Sequence, residues 1–360
     1  MNALSTLTIK SLHRDYDVCF SSEIDGLINQ LVDIKHAFVV IDENIAQIYS
    51  SRLNSLLSRY PVYKARATEE TKTLNGVTQL VDWLMAQKAV RSSTIIAIGG
   101  GIIQDLVTFT SCVYYRGVDY VLVPTTLLSM CDSSIGAKCG INHGHFKNQL
   151  GVVYAPAAVH ICTDFLVTLA DSDIMSGFGE LLKLSLTESK SQFLELQAAV
   201  ADEGIRTSKL DQLIRSSLLT KKRVIELDEY ERDFRRVLNY GHTFGHALEA
   251  LTSYGLPHGL GVAWGIDLVN FLATECGLLD NSIRTDVRDF ILQHLRFQLK
   301  SFPSAIDLVN ATRRDKKVAD GSLNLVLLAD YGDLRITPTK FNEELTRSVS
   351  NYLMGENVFA

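Results

Sequence analysis

Three of the nine histidines in this sequence lie in one short stretch, residues 235–259, which reads RRVLNYGHTFGHALEALTSYGLPHG. His242 and His246 are four residues apart, and the Ala- and Leu-rich sequence after them favours a helix. On a helix they would share one face. His258 follows a Tyr254-Gly255-Leu256-Pro257 break that ends the helix and turns the chain. The pattern suits a Zn²⁺ site completed by a carboxylate, with one position open to substrate. The same HxxxH spacing also occurs where histidines merely pack, so both interpretations stand at this point.

A glycine run supplies a second candidate site. Gly99-Gly100-Gly101 follow the apolar segment TIIAI and precede a helical pattern, in the sequence GGGIIQD. Glycines at the carboxyl end of a strand let backbone N–H groups approach a pyrophosphate closely. The pattern differs from the GxGxxG fingerprint, and a tight strand-to-helix turn is the alternative interpretation.

Two further groups of polar residues could do chemistry. Residues 129–151, SMCDSSIGAKCGINHGHFKNQLG, lack periodicity and read as a long loop. Its Lys138, Lys147 and Asn148 could bind a phosphate or carboxylate, or they could be ordinary solvated residues. Glu180 and Lys183 are three residues apart on a nearly uncharged helical segment. A surface ion pair of that spacing is worth only ~0.3 kcal/mol, whereas a buried pair would indicate a site.

The elements that must position these residues follow from hydropathy. The apolar runs at 37–41, 94–98 and 120–123 are typical of strands buried on both faces. Helical patterns at about 45–59 and 69–88 alternate with them, which predicts a parallel α/β sheet. After about Thr163 helical patterns dominate. We therefore predict an α/β fold with an N-terminal Rossmann-like parallel-sheet domain over 1–163. A mainly α-helical metal-binding domain over 164–360 follows it.

Composition limits the class of protein. The chain has 360 residues, a formal net charge of −6 and six cysteines without a CxxC pair. These values predict a cytoplasmic protein with reduced thiols that binds no nucleic acid. The sequence shows no secretory signal pattern and no apolar run of the ~18 residues that a membrane span needs. The charged run at 313–317 reads as a solvated surface.

Taken together, the motifs resemble those of the dehydroquinate synthases in the sugar-phosphate cyclase family. The resemblance covers nearly the whole chain. It rests on AIGGGIIQDL, YYRGVDYVLVPTTLLSMCDSSIGAK, INHGHFKNQLG, SGFGELLK, LNYGHTFGHALEA, LPHG and RRDKK, which occur in the family's order. The spaced Lys221, Glu231 and Arg235 also fit. The sequence departs from the family pattern at Gln104 and Ala137, where glycine is usual, at Cys139-Gly140, and at Leu260, where glutamate is usual.

The resemblance implies roles for individual residues. It makes Glu180, His242 and His258 the ligands of Zn²⁺, for which Co²⁺ could substitute, and it turns His246 toward the substrate phosphate. It implies an NAD site made of Asp42, Asn44, Glu69, Lys72, Gly100, Gly101, Ile102, Asp105, Thr125, Thr126, Lys147, Phe165 and Thr168. It implies a catalytic set of Lys183, Asp132, Lys221, Glu231, Asn239 and His246. It implies a substrate-binding set of Arg116, Lys138, Asn148, Arg235, Lys316 and Lys317, in which Arg116 reaches across a homodimer interface.

The family's chemistry implies a small-molecule sugar-phosphate substrate. Bound NAD transiently accepts a hydride, phosphate is eliminated, the hydride returns and an intramolecular aldol step closes a carbocycle. Because a guanidinium is a natural carboxylate partner, Arg235 beside Lys138 favours 3-deoxy-arabino-heptulosonate 7-phosphate as substrate and 3-dehydroquinate as product. A specialised cyclase acting on an amino-substituted substrate or on sedoheptulose 7-phosphate is the alternative. A metal-dependent alcohol or glycerol dehydrogenase and a non-enzymatic binding module are the rivals from other classes.

Overall fold

The computed structural model describes residues 6–144, 146–253, 255–299, 301–313, 318–319 and 322–359. The chain folds into two compact units. The first unit is Met1–Leu169 with Lys221–Tyr230, and the second is Ala170–Thr220 with Glu231–Ala360. The division falls a few residues after the predicted position 163, and it assigns the segment 221–230 to the first unit.

The first unit is built on a seven-stranded sheet. Its strands are β1 (Thr6–Ile9), β2 (Tyr16–Ser21), β3 (Ala37–Asp42), β4 (Val62–Ala65), β5 (Thr94–Gly99), β6 (Asp119–Pro124) and β9 (Ala158–Cys162). They lie in the order β1-β2-β9-β6-β5-β3-β4, with only the β1–β2 pair antiparallel. Val39, Val40, Ile41, Ile96 and Ile98 are fully buried, as expected of strands covered on both faces.

Helices connect the strands of this sheet. They are α1 (Ile24–Leu31), α2 (Glu43–Ile48), α3 (Asn54–Leu57), α4 (Leu74–Ala86) and α5 (Gly101–Val113). The single helix predicted over 45–59 is wrong, because a non-helical stretch separates α2 from α3. From β3 the chain runs to β4 on one side, and β5 pairs with β3 on the other. The β3–β5 boundary is therefore a topological switch point, where open α/β sheets bind ligands.

The segment predicted as a loop at 129–151 has more structure than its composition suggested. One π-helical turn covers Ser129–Ser133. An antiparallel hairpin follows, made of β7 (Lys138–His143) and β8 (Phe146–Val153), with a register shift between Ile141 and His143. The expectation of an irregular loop was therefore wrong for most of this segment. Its strands mix polar and apolar residues on half-exposed positions, which weakens any period-2 signal.

The second unit is mainly helical, as predicted. Its helices are α6 (Asp171–Glu188), α7 (Lys190–Val200), α8 (Leu210–Leu227), α9 (His242–Leu251), α10 (His258–Glu275), α11 (Asn281–His294), α12 (Ala305–Thr312) and α13 (Glu343–Gly355), and α8 continues into the segment assigned to the first unit. A small antiparallel sheet of β10 (Val318–Ala319), β11 (Ser322–Asp330) and β12 (Asp333–Lys340) accompanies them. Within the described part of the chain, no helix has the length and hydropathy of a membrane span.

The core of the second unit brings α6, α9 and α10 into close contact. Glycines make this possible, because a Cβ on Gly179 would lie 1.9 Å from the Gly259 carbonyl oxygen. A Cβ on Gly245 would lie 2.7 Å from the Gly261 carbonyl oxygen. No side chain fits at these distances, so the glycines bring α6 and α9 against the start of α10.

Candidate functional site

Glu180, His242 and His258 converge in the second unit. Glu180 lies in α6, and the two histidines begin α9 and α10. Glu180 Oε1 lies 3.5 Å from His242 Nε2 and 3.1 Å from His258 Nε2. The Glu180 side chain is 1% exposed. Two imidazole nitrogens and one carboxylate oxygen are suitable donors for Zn²⁺.

Contacts on the far side of each imidazole direct its Nε2 toward Glu180. His242 Nδ1 lies 3.1 Å from the Tyr240 carbonyl oxygen, to which only an Nδ1–H can donate. His258 Nδ1 lies 3.0 Å from Glu249 Oε1, an acceptor carboxylate. With the Nδ1 positions engaged as donors, the Nε2 lone pairs are left for a cation. The residues present therefore fit a divalent metal.

Glu249 is a candidate functional residue that the sequence analysis missed. It lies on α9 two turns after His242, and its carboxylate is nearly buried. The signal was present as a glutamate at helical spacing from both histidines of α9. Only its contact with His258, on another helix, distinguishes it from an ordinary helix-favouring glutamate.

The electrostatics of the cluster depend on burial and on nearby charges. Burial alone would raise the pKa of Glu180, but the Lys183 ammonium and His242 hold that pKa well below its usual value. Lys183 Nζ is 2.5 Å from Glu180 Oε2, and both side chains are buried, so the pair is not a surface ion pair. Burial lowers the pKa of His242. Burial would also lower the pKa of His258, but the Glu249 charge and the hydrogen bonds that His258 donates to Glu180 and Glu249 raise that pKa to about 10.

His246 lies beside this cluster. Its ring centroid is 5.2 Å from that of His242 and 5.4 Å from that of His258. Ring nitrogens of these three histidines lie within 4.8 Å of one another, so the geometry also allows a three-histidine metal site. His246 is exposed, in contrast to Glu180.

The other predicted residues of the second unit lie nearby in sequence. Asn239 Nδ2 donates to Glu231 Oε1 at 2.6 Å. Arg235 is 5% exposed, so its permanent charge is buried. Lys316 and Lys317 lie outside the described residues.

In the first unit, the residues predicted to bind NAD gather at the carboxyl ends of adjacent strands. Asp42 ends β3, Gly100 and Gly101 follow β5, and Thr125 and Thr126 follow β6. A Cβ on Gly100 would lie 3.0 Å from Thr126 Cγ2, so a side chain there would crowd the loop. Gly100 also leaves the N-terminus of α5 without a side-chain cap. The arrangement fits an anion bound at the helix N-terminus.

Charged residues beside this edge form a connected network. Glu69 accepts hydrogen bonds from Lys147 Nζ at 2.6 Å and from Asn142 Nδ2 at 2.7 Å. Lys72 Nζ lies 2.5 Å from Asp105 Oδ2. Although burial raises the pKa of Asp105, the Lys72 charge acts against that rise. Asn142, at the hairpin's register shift, was not predicted.

The remaining predicted residues of the first unit occupy varied environments. Phe165 is buried against Tyr49, whose hydroxyl lies 2.9 Å from Thr168 Oγ1. Asn44 donates its backbone N–H to Asp42, and Ile102 is half-buried in the first turn of α5. Lys221 Nζ binds the Asp132 carbonyl oxygen at 2.7 Å and also its carboxylate.

Three predicted substrate contacts also lie in the first unit. Lys138 is exposed at the start of β7, and Asn148 lies on β8 with a φ of 54°. Arg116 is exposed with a φ of 63°, next to Tyr115 at 50°. Two consecutive non-glycine residues with left-handed backbone are strained, which is typical of functional segments.

Solved structures with this fold include sugar-phosphate cyclases and metal-dependent dehydrogenases. 2-Deoxy-scyllo-inosose synthase complexed with carbaglucose-6-phosphate, NAD⁺ and Co²⁺ has a TM-score of 0.85 at 23% identity, over 96% of this chain and 99% of that one. The 2-epi-5-epi-valiolone synthase of Streptomyces hygroscopicus, with NAD⁺ and Zn²⁺ bound, has a TM-score of 0.82 at 25% identity, over 96% and 97%. An iron-containing alcohol dehydrogenase has a TM-score of 0.65 at 14% identity, over 95% of this chain and 98% of that one.

Sequence comparison defines the family within that fold class. Residues 62–176 match the 3-dehydroquinate synthase N-terminal family, and residues 177–318 match its C-terminal family. The 3-dehydroquinate synthase of Streptococcus pyogenes serotype M6 is 31% identical over 97% of this chain and 99% of its own length. The 2-epi-valiolone synthase of Actinosynnema mirum is 33% identical over 89% of this chain and 87% of its own length.

The chain belongs to the 3-dehydroquinate synthase family of sugar-phosphate cyclases, and it is an enzyme of the cyclase–lyase type. The predicted family and fold class are thereby confirmed.

Proposed function

We propose that this enzyme converts 3-deoxy-arabino-heptulosonate 7-phosphate into 3-dehydroquinate and phosphate, with NAD and Zn²⁺ as cofactors. The observation that carries the proposal is the convergence of Glu180, His242 and His258, with the buried Arg235 seven residues before His242 in the same unit. Family membership and the cofactors named for the related cyclase structures support it. In this assignment His246 contacts substrate and is not a metal ligand.

The bound metal would polarise the substrate hydroxyls that are oxidised and reduced. Glu180, His242 and His258 hold it, and Lys183 keeps the Glu180 carboxylate ionised at neutral pH. Asp132 and Lys221 form a nearly buried ion pair that can position a substrate hydroxyl and exchange protons with it. Arg235 binds the substrate carboxylate.

NAD would be held by the first unit. Gly100 and Gly101 would leave room for its pyrophosphate at the start of α5, and the uncapped N–H groups would supply donors. Asp42 and the Glu69–Lys147 pair supply the polar contacts beside it. When bound there, NAD would supply reversible hydride transfer without net formation of NADH.

The enzyme is proposed to act as a homodimer in which Arg116 contacts the partner's substrate phosphate. The strained backbone at Tyr115 and Arg116 supports a functional role for this segment. The molar mass from light scattering should be that of a dimer, and Arg116→Ala should raise the KM without loss of bound zinc. A monomeric, fully active enzyme would contradict this part of the proposal.

The substrate is tested by phosphate release from heptulosonate 7-phosphate and sedoheptulose 7-phosphate in parallel. A site with a buried guanidinium should prefer the acid by about 10³ in kcat/KM. Arg235→Ala should remove most of that preference while zinc and NAD stay bound. Arg235→Lys should restore only part, because an ammonium lacks the bidentate fork. Arg236→Ala, one position along the chain, is the matched control and should behave as the parent.

A second candidate function has a specific observation in its favour. The 2-epi-valiolone synthase of Actinosynnema mirum is 33% identical to this chain, as similar as the 3-dehydroquinate synthases. If the parent enzyme prefers sedoheptulose 7-phosphate and Arg235→Ala leaves that activity intact, the chain is a specialised cyclase of that type.

A further inference from the structure

The departure from the family pattern at Gln104 creates a polar contact next to the glycine run. Gln104 is in the first turns of α5 and is only 4% exposed. Its Oε1 accepts a hydrogen bond from Ser133 Oγ at 2.8 Å. Its Nε2 has no hydrogen-bond partner among the residues that the structure describes. A buried amide donor left unsatisfied is costly, which calls for an explanation.

Ser133 connects this carboxamide to the surface of the glycine loop. It ends the π-helical turn and is exposed. Its Oγ would lie 3.9 Å from a Cβ built on Gly101, the first residue of α5. The Ser133 hydroxyl therefore lies beside the N-terminus of the helix, where backbone donors attract an anion. The Gln104 carboxamide lies beneath it.

We propose that Ser133 is a phosphate contact of the dinucleotide site and that Gln104 is the residue that orients its hydroxyl. A hydroxyl has one proton and can donate in only one direction. While the Ser133 proton points to Gln104 Oε1, it is unavailable to a ligand. Rotation of the carboxamide by half a turn places Nε2–H against Ser133 Oγ. The Ser133 proton is then released toward a phosphate oxygen, Gln104 Nε2 gains Ser133 Oγ as an acceptor, and Gln104 Oε1 gives up the bond that it accepted from Ser133.

This inference rests on the proposed function, because the anion is the pyrophosphate of NAD. Glycine at position 104 would have no side chain to direct Ser133, so the device belongs to this chain and not to the usual family pattern. An exposed serine beside a helix N-terminus and a buried amide beneath it are two separate observations. They meet in a single hydrogen bond.

The test is calorimetric binding of NAD⁺, ADP and adenosine to the holoenzyme and its variants. Ser133→Ala should weaken NAD⁺ and ADP on the order of 10-fold, as expected for one hydrogen bond to a charged group, and leave adenosine unchanged. Gln104→Leu should weaken the same two ligands by about 5-fold. Gln104→Glu should weaken them more, because a carboxylate only accepts and holds the Ser133 proton inward. The Ser133→Ala/Gln104→Leu double variant should lose no more than Ser133→Ala.

Ser111→Ala is the matched control, because it removes a buried hydroxyl from α5, the helix that carries Gln104, and should leave all three affinities unchanged. If Ser133→Ala binds NAD⁺ and ADP as tightly as the parent does, this inference is overturned and the proposed function is not. Equal losses for ADP and adenosine would also overturn this inference, because they would indicate a general disturbance of the fold. A parent that binds neither NAD⁺ nor ADP would overturn the proposed cofactor and this inference with it.

Discussion

Replacement of Glu249 is expected to weaken metal binding without unfolding the site. Glu249 Oε1 accepts the Nδ1–H of His258 at 3.0 Å, and the Glu249 side chain is 9% exposed. A hydrogen bond to a charged acceptor contributes about 1.5–3 kcal/mol, or on the order of 10–100-fold in affinity. Losses of the same size follow when carboxylates behind metal-bound histidines are removed. Glu249→Gln keeps a hydrogen-bond acceptor but not the charge, so its loss of zinc affinity should lie at the low end of this range. The loss in Glu249→Ala should lie at the high end.

The pH dependence of this loss has a defined sign. Without metal, Glu249 and Glu180 raise the pKa of His258 to about 10, so a proton competes with the metal. Removal of the Glu249 charge lowers that pKa and weakens the proton as a competitor. The variant should therefore lose less affinity at about pH 7 than at about pH 9, where proton competition is weaker in both proteins.

The assay is competition between the protein and a chelator for Zn²⁺. Glu275→Gln, at the exposed far end of α10, is the matched control and should retain the parent affinity. NAD⁺ affinity should be the same in all variants, because Glu249 is not among the residues proposed to bind NAD. Zinc affinity of Glu249→Ala within about twofold of the parent at about pH 9 would refute the reasoning, since no orienting bond would then have been lost.

Four further outcomes are expected. His258→Ala should lose zinc and activity together, whereas His246→Ala should lose activity and keep zinc; the reverse result would make His246 the ligand. Gly100→Val should weaken NAD⁺ binding by about 10-fold, because the new side chain would crowd Thr126. An unchanged NAD⁺ affinity in calorimetry would contradict the glycine-loop site. Ala137→Gly should raise the free energy of unfolding by about 0.5–1 kcal/mol in urea titrations, because Ala137 has a φ of 56°; a loss of stability would contradict this. Burial lowers the pKa of His160 to about 4, so the folded state excludes a proton that the unfolded state binds. The free energy of unfolding should therefore fall by up to about 3 kcal/mol as the pH drops from about 6.5 to 4. His160→Asn should flatten this pH dependence, and equal slopes of stability against pH in variant and parent would contradict the prediction.

The sequence predicted those parts of the fold in which burial is uniform. Strands β3, β5 and β6 are apolar runs because helices or loops cover both faces, and the residues at their carboxyl ends could be grouped from the alternation of strands and helices. The β7–β8 hairpin was missed because its strands are half-exposed and carry functional polar residues. The assignment of 221–230 to the first unit could not be predicted, because this segment continues a helix while its contacts lie with the first unit, and no composition change marks it.

The candidate metal site shows why the spacing of the histidines in the sequence could not by itself select the metal ligands. Helical periodicity correctly places His242 and His246 on one face of α9, and their rings do lie side by side. The choice between His246 and Glu180 as third ligand depends on where the Nε2 lone pairs point. That direction is set by the Tyr240 carbonyl group and by Glu249, acting on Nδ1 of each coordinating histidine. Both directions meet at Glu180 Oε1, whose charge is kept by Lys183 one turn away on α6. A buried carboxylate with fixed partners is preorganised for a divalent cation, which favours Glu180 over the exposed His246 as the proposed third ligand.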